Sequence, residues 1–475
     1  MLEHVFLLPF LIGVIVMFLP AQYGRAGLII AAALHLGLTL MGWMGKLSPV
    51  TTGYFSTAPE GMLVLLVTSF IFMLIAIYTL SYLRETELRN EPVFIGCMLL
   101  FLATMSMVAL ADHIIVLWVA IEATTLVSAP LILLSHSKAA LEATWKYVMI
   151  CSVGIALALL GSFFIVLSMD LGGVRVPLTF TSLNTVAKSL DPVWLKAGFI
   201  FVMIGYGTKM GLAPMHTWLP DAHSQAPSPA SALLSGVLLN CAFLGVYKVH
   251  TLMVNAGLGS YSSNVLMGFG LLSMFIAGVF IRNQHDYKRM LGYSSIENMG
   301  IIAFGIGVGG LASYGAMLHL IHHSLIKSSL FLSAGNIMLA YGTKLVNKVG
   351  KMPSFLPKTF GVFFAGFVGI SGFPPFGMFL SEVLIIIGAF RAGHYWGIGF
   401  FIFCLILIFA AASRLVMRMC FGDTEETIQV EENLMRVAPS FLLLLTSIVL
   451  CVWMPAALYD TIQNAIAMIG GAFNG

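Results

Sequence analysis

Apolar runs of about twenty residues recur along this chain from its first residues nearly to its last, separated by short polar connections. As a helix, a run of that length covers the roughly 30 Å hydrocarbon core of a bilayer. A helix also satisfies its own backbone polar groups where no water can. The runs predict an all-α polytopic membrane protein of about fourteen transmembrane helices, near residues 2–19, 26–43, 61–83, 93–111, 113–134, 145–168, 194–213, 227–249, 263–281, 291–309, 313–341, 358–389, 396–418 and 437–456. Two helices are interrupted. GYGTKMGLAPMHTWLPDAHSQAPSP, around Lys209, sets glycine and proline beside an otherwise spanning run, and GISGFPPFGMFLSE does the same near Glu382. Proline removes a helical hydrogen bond, and backbone freed at membrane depth is tolerated only against protein or a watery cavity.

One break follows the intramembrane Glu122 by about three helices, and the other follows Glu297 by about two. This pairing predicts two five-helix repeats, residues 93–250 (helices 4–8) and 263–418 (helices 9–13). Residues 1–92 precede them as three helices, and 437–475 follow as a fourteenth helix with a C-terminal tail. An odd number of helices per repeat makes the two copies inverted. The first run has neither a basic leader nor a small-residue cleavage motif and reads as a retained helix. The longest connections leave no room for a soluble domain. The last stretch, with YDTIQNAIAMIGGAF, reads as a frayed tail rather than an interfacial helix.

Composition fits this picture: 59% of the 475 residues are hydrophobic and 9% charged, which excludes a soluble globular domain. The net charge of +3 is too small and too dispersed for a nucleic-acid partner. Its use is topological. Connections after odd-numbered helices carry about fifteen Lys and Arg, among them Arg84, Arg89, Lys288, Arg289, Lys344, Lys348 and Lys351, against about six after even ones. Both termini are therefore expected outside the cytoplasm. Cys97, Cys151, Cys241, Cys404, Cys420 and Cys451 have neither disulfide-framework nor cluster spacing. No cofactor and no metal are expected in this chain.

A charged side chain at the bilayer centre costs at least about 2.5–3.5 kcal/mol, so each one needs a partner, a cavity or a function. Glu122 lies mid-helix, Lys209 beside the first break, Glu297 in GYSSIENMG, and Glu382 after the second break. A buried Glu and Lys within reach of each other can exchange protonation states near neutral pH, as a proton relay requires. In MLHLIHHSLIKSSLFL, His319, His323 and Lys327 are spaced four and four. They fall about 40° apart per step on one helical face and span roughly 12 Å. Imidazole accepts a proton on one nitrogen and releases it from the other, which suits a relay. His322 points about 100° away and reads as a packing or hydrogen-bonded residue. Histidines four apart can also share a metal or hold a haem, but the lysine on the same face would oppose a cation. Asp112 and His113 read as solvated at a helix junction, Glu142 and Lys146 as an i,i+4 pair, and Asp221 and His223 as lining a mouth of the pathway or capping a loop.

At these residues a resemblance appears. HTWLPDAHSQAPSPASALLSG, DYKRMLGYSSIENMG, HHSLIKSSLFLSAGN and GFPPFGMFLSE, in that order, resemble signature stretches of the antiporter-like membrane subunits of NADH:quinone oxidoreductase, group 4 hydrogenases, formate hydrogenlyase and multisubunit Na⁺/H⁺ antiporters. LWVAIEATTLVSAPLIL and YSSIENMG look most like the hydrogenase-4 component F type. The resemblance implies fourteen helices and a proton path along the membrane midplane. In it Glu122 takes the place of the family's glutamate on helix 5, Lys209 that of the lysine on broken helix 7, and His319, His323 and Lys327 those of the relay helix. Glu382 stands where relatives carry lysine or glutamate on broken helix 12. In place of the family's helix-8 base stand Ser235 and Asn240, and the nearest base is Lys248. Either Lys248 bends back to serve, or it snorkels from its helix end and water held by Asn240 and Ser235 bridges the gap. The implied role is a proton-translocating subunit of a redox complex, with iron–sulfur clusters and, in a hydrogenase, a nickel–iron site in partner subunits. The implied location is a bacterial or archaeal cytoplasmic membrane. Competing readings are a Na⁺/H⁺ antiporter subunit and a His-ligated haem protein.

Overall fold

The computed structural model describes residues 1–48, 53–86, 90–134, 137–424 and 432–470. Arg89, one of the residues behind the charge asymmetry, and the last five residues of the expected tail lie outside the described residues. The described residues are helical almost throughout. The first six spans are α1 (His4–Val16), α2 (Ala21–Trp43), α3 (Pro59–Glu85), α4 (Glu91–Leu110), α5 (Ile114–Leu133) and α6 (Lys138–Leu171). A surface connection carrying the short α7 (Phe180–Thr185) leads to α8 (Pro192–Met210) and α9 (Trp218–Gln225), the two halves of the first broken helix. The next span joins α10 (Ser228–Leu233) to α11 (Leu239–Asn255) through a π-helical turn at Leu234–Leu238. Then come α12 (Gly259–Ile281), α13 (Tyr287–Val308) and α14 (Gly310–Tyr341). The one-turn α15 (Met352–Phe355) precedes α16 (Pro357–Ile370) and α17 (Gly377–Arg391), the second broken helix, and α18 (Tyr395–Phe421), α19 (Leu434–Val452) and α20 (Ala456–Ala467) end the chain. The spans read from hydropathy thus fall on helices or broken pairs, and the interruptions expected near Lys209 and Glu382 are both present.

Local chemistry sets the boundaries. Asp191 accepts from the amides of Val193 and Trp194 at the start of α8, with Pro192 at its first position, where the missing N–H costs nothing. Asp286 caps α13 in the same way through the amides of Lys288 and Arg289. Gly211 ends α8 and Gly342 ends α14, both in the left-handed region that favours glycine.

Among the described residues nine helices are long and apolar enough to cross a bilayer on length and composition alone. α13 and α14 are not among them, because their faces carry the Lys, His, Glu, Asn and Ser residues of the sequence reading. Both are buried along nearly their whole length. Their surroundings are protein, so their own apolarity is not required.

The final stretch departs from the expected frayed tail. Leu458, Ile462, Ala465 and Ile466 form a buried stripe on α20, which docks the helix against the bundle. Tyr247 donates to Ala465 O at 2.6 Å, and Trp43 Nε1 donates to Thr461 Oγ1 at 2.9 Å.

Helices α6 and α8 approach backbone to backbone. Gly154 and Gly161 of α6 meet Gly205 and Gly198 of α8, and a Cβ on Gly205 would run into Gly154 O and Ala158. Small residues of this kind let membrane helices close on each other. This seam places Lys209, one turn past Gly205, against α6. Gly205→Val is expected to destabilise the fold by about 1–3 kcal/mol, the usual cost of overpacking, and to push Lys209 away from Tyr147. A thermal-shift measurement on the purified complex tests it: an unchanged midpoint would show that the seam is not closed.

Candidate functional site

The first cluster is built by α5, α6 and α8. Lys209 is fully buried and its Nζ donates to Thr125 Oγ1 at 2.8 Å and to the Tyr147 hydroxyl at 2.6 Å, 4.5 Å from that ring's centroid. Thr125 Oγ1 stands 3.4 Å from Glu122 Oε2, and Ser152 donates to Glu122 Oε1 at 2.9 Å. Glu122 and Lys209 therefore do not touch. One threonine hydroxyl, able to donate to one and accept from the other, lies between them. Tyr147 shares a 2.6 Å hydrogen bond with Ser128, and its ring packs on Trp218. Trp218 Nε1 in turn donates to Thr208 O at 2.9 Å, which satisfies one carbonyl released by the helix break. Thr125 stands three residues after Glu122, a helix neighbour the sequence makes visible. Tyr147 and Ser152 reach the site through tertiary packing that no spacing announces.

The middle of the bundle is polar but uncharged. Asn240 donates to Ser324 Oγ at 2.7 Å and to Gly236 O at 3.2 Å, and Ser235 shares a 2.7 Å bond with Ser295. All four are buried, and the two bonds tie Ser235 to α13 and Asn240 to α14. The π turn offsets the face of α11 from that of α10 here. Nothing in the run SALLSGVLLN signals it beyond Gly236, whose added Cβ would strike Ser328.

On α14, His319 and Lys327 both reach α13. His319 bonds Asn298 Oδ1 at 3.0 Å and Ser381 Oγ at 2.9 Å through its two ring nitrogens, and Lys327 donates to Leu291 O at 2.7 Å. His323 lies between them, fully buried, with neither ring nitrogen paired. His322 points elsewhere and bonds Ser447 at 3.0 Å. His223 neither lines a mouth nor caps a loop. It is fully buried, stacked 4.8 Å from the Phe331 ring, with both nitrogens unpaired. A buried imidazole without partners is costly.

Beyond Lys327, Glu297 and Glu382 line one cavity of about 260 Å³, together with Leu291, Ser294 and Gly372. Ser294 stands 3.3 Å from Glu297, and the Glu382 carboxylate sits against Gly372 in the second helix break. Phe373, Ile406 and Phe409, partly exposed on the bundle's flank, form the other wall.

Lys248 neither snorkels nor bends back. It is buried, and its Nζ lies 3.1 Å from Oε1 of an equally buried Glu60 on α3. Asp112, expected in solvent, is also buried. At the opposite end of the bundle Asp221 lies between Lys146, at 3.3 Å, and Arg289, at 3.1 Å, with Glu142 2.6 Å from Lys146. There the end of α9 collects cations: Lys288 donates to Ala226 O and Lys344 to Ser224 O. Burial pushes the Lys344 amine below its ordinary value, against the pull of Asp286. Among the described residues no group of three or more His, Cys, Asp or Glu is placed to hold a metal ion.

Residues 111–409 match a family model described as NADH:quinone oxidoreductase/Mrp antiporter, transmembrane. The chain belongs to this family. A hydrogenase-4 component F homolog of Methylacidiphilum infernorum is 39% identical over 290 residues, 60% of this chain and 61% of that one. Hydrogenase-4 component B of Escherichia coli is 32% identical over 330 residues, 67% of this chain and 48% of that one. The matched stretch thus spans about half to three fifths of these relatives. In solved structures the fold of this NADH:quinone oxidoreductase/Mrp antiporter family member is shared with a chain of the archaeal membrane-bound sulfane sulfur reductase (TM-score 0.85, 20% identity, 99% of both chains). It is shared too with a chain of respiratory complex I from Thermus thermophilus (TM-score 0.84, 20% identity, 99% of this chain and 100% of that one).

Proposed function

We propose that this chain is a proton-translocating membrane subunit of a redox-driven complex of the hydrogenase-4 or formate hydrogenlyase kind. Electron transfer takes place in companion subunits that carry iron–sulfur clusters and, in a hydrogenase, a nickel–iron site. The observation that carries this reading is a row of ionisable side chains, all buried but the half-buried Glu122, interspersed with hydroxyl and amide groups through the middle of the bundle. It runs from Glu122 through Thr125 to Lys209 and Tyr147, past Ser235, Asn240, Ser295 and Ser324, to His319, His323 and Lys327, and on to Glu297 and Glu382. Buried charges are expensive in a membrane, and a chain of them marks an ion or proton path. In this reading a charge arriving beside Glu122 alters, through Thr125, how firmly Lys209 holds its proton. Protons move along the polar middle between Lys209 and the α14 group, and Glu382 exchanges them with one membrane face.

The same reading takes residues 93–250 and 263–418 as inverted repeats, each with one broken helix. It sets the basic connections in the cytoplasm and both termini outside, in a bacterial or archaeal membrane. The relatives named as hydrogenase-4 components favour the redox complex over a free-standing Na⁺/H⁺ exchanger. Isolating the native complex through a tag on this chain and identifying its companions by mass spectrometry tests the reading. Recovery of a hydrogenase-like large subunit with iron–sulfur proteins is expected. Recovery of small hydrophobic antiporter subunits alone would replace it with cation/proton exchange.

A further inference from the structure

The relay described above does not use the ion pair between Glu60 and Lys248, which lies at the end of the bundle where α3 begins and α11 ends. The two side chains are 2% and 3% exposed, and Nζ stands 3.1 Å from Oε1. The pair joins the N-terminal helices to the first proposed repeat. Two features go beyond what docking requires. Glu60 Oε2 is buried and has no hydrogen-bond partner, although a structural carboxylate at this depth would be held through both oxygens. Lys248 also shares a face of α11 with the relay: Asn240, Leu244 and Lys248 are spaced four and four, within roughly 12 Å along the axis. Beside that face Cys241 donates to Met105 O, and Tyr206, one turn before Lys209, packs on Gly245. Leu244 and the Tyr206 ring form a short apolar plug between the relay and the pair. Among the described residues the connection that carries α7 packs beside the pair, with the Phe180 ring 5.5 Å from Lys248 Nζ.

We infer that Glu60 and Lys248 form a proton-release station that joins the relay at Lys209 and Asn240 to the membrane face opposite the basic connections. This inference rests on the proton-translocation reading. In the step assigned to the pair, the Lys248 ammonium gives one proton to Glu60, leaving a neutral amine and a neutral carboxylic acid. The acid passes that proton to water at the adjoining face, and the amine takes its replacement from the relay when the plug at Leu244 and Tyr206 hydrates. Charge is conserved at each stage and no oxidant or reductant is needed. The plug keeps the station from leaking between transfers.

The test separates release from docking. In the intact complex in membrane vesicles, Glu60→Gln combined with Lys248→Met keeps size and charge balance but removes both titrating groups. Assembly with wild-type electron-transfer activity, and proton yield per electron pair reduced at least about tenfold, is expected. Wild-type proton yield in that double variant would overturn the inference, because docking by a neutral pair would then suffice. If the double variant fails to assemble, the exchanged pair Glu60→Lys with Lys248→Glu takes its place, read by the rate of proton appearance at the outer face. A rate equal to wild type would overturn the inference, since a station with donor and acceptor interchanged should be slower. Lys209→Ala measured alongside keeps the two readings apart: if it pumps normally the relay reading falls, and if it is inactive while the double variant pumps normally only the release station falls.

Discussion

Lys209→Ala is expected to abolish redox-linked proton translocation while leaving electron transfer and assembly in place. Proton transfer by a positioned side chain contributes about a hundredfold or more, so residual pumping should fall to the background of the vesicle. The geometry makes the expectation specific. Lys209 is fully buried and held by two hydroxyls, Thr125 at 2.8 Å and Tyr147 at 2.6 Å. Alanine removes the charge without inserting bulk at the α6–α8 seam. Thr125→Val, which keeps the shape and deletes the hydroxyl between Glu122 and Lys209, should give a weaker form of the same defect. Membrane vesicles with a pH-sensitive dye and a parallel assay of the redox reaction measure both quantities. Full pumping by Lys209→Ala would remove this lysine from the path.

The second large effect is expected on α14, where His319, His322, His323 and Lys327 share one helix but not one face. Lys327→Met should stop proton translocation, because it deletes the cation between His323 and the cavity that holds Glu297 and Glu382. His322→Gln should leave translocation close to wild type, since His322 bonds Ser447 of α19 and faces away from α13. The pair of variants is measured in the same vesicles, and each is its own control for folding. Equal loss in both would mean that α14 responds to any polar change by unfolding. The direction of His322 would then carry no information.

Hydropathy made the spans and both breaks legible, because a lipid-facing helix must be apolar and a broken one must spend its prolines where backbone can be satisfied. The face of α14 was legible for an equally simple reason: spacing by four fixes direction whatever surrounds it. What the sequence withheld were contacts between distant elements. Glu60 follows Pro59 at a helix start, where an acidic residue ordinarily caps the helix in solvent, so nothing marked it as the counter-ion of Lys248. Tyr147 and Ser152 look like ordinary residues of an apolar run until α6 is laid on α8. The π turn at Leu234–Leu238 depends on how Gly236 meets Ser328, which is a property of the packed pair of helices. The docking of α20 escaped notice because its buried stripe is short and ends near the terminus.

The burial of α13 and α14 bears on how the chain is made. Their polar residues make each a poor candidate for partition into lipid as it leaves the ribosome, whereas the preceding α12 is long and apolar enough to cross on length and composition. Insertion therefore has to be cooperative, with α13 and α14 retained at the insertion machinery until neighbours can shield them. The residues that would carry protons in the finished subunit are thus the same ones that oppose its insertion helix by helix.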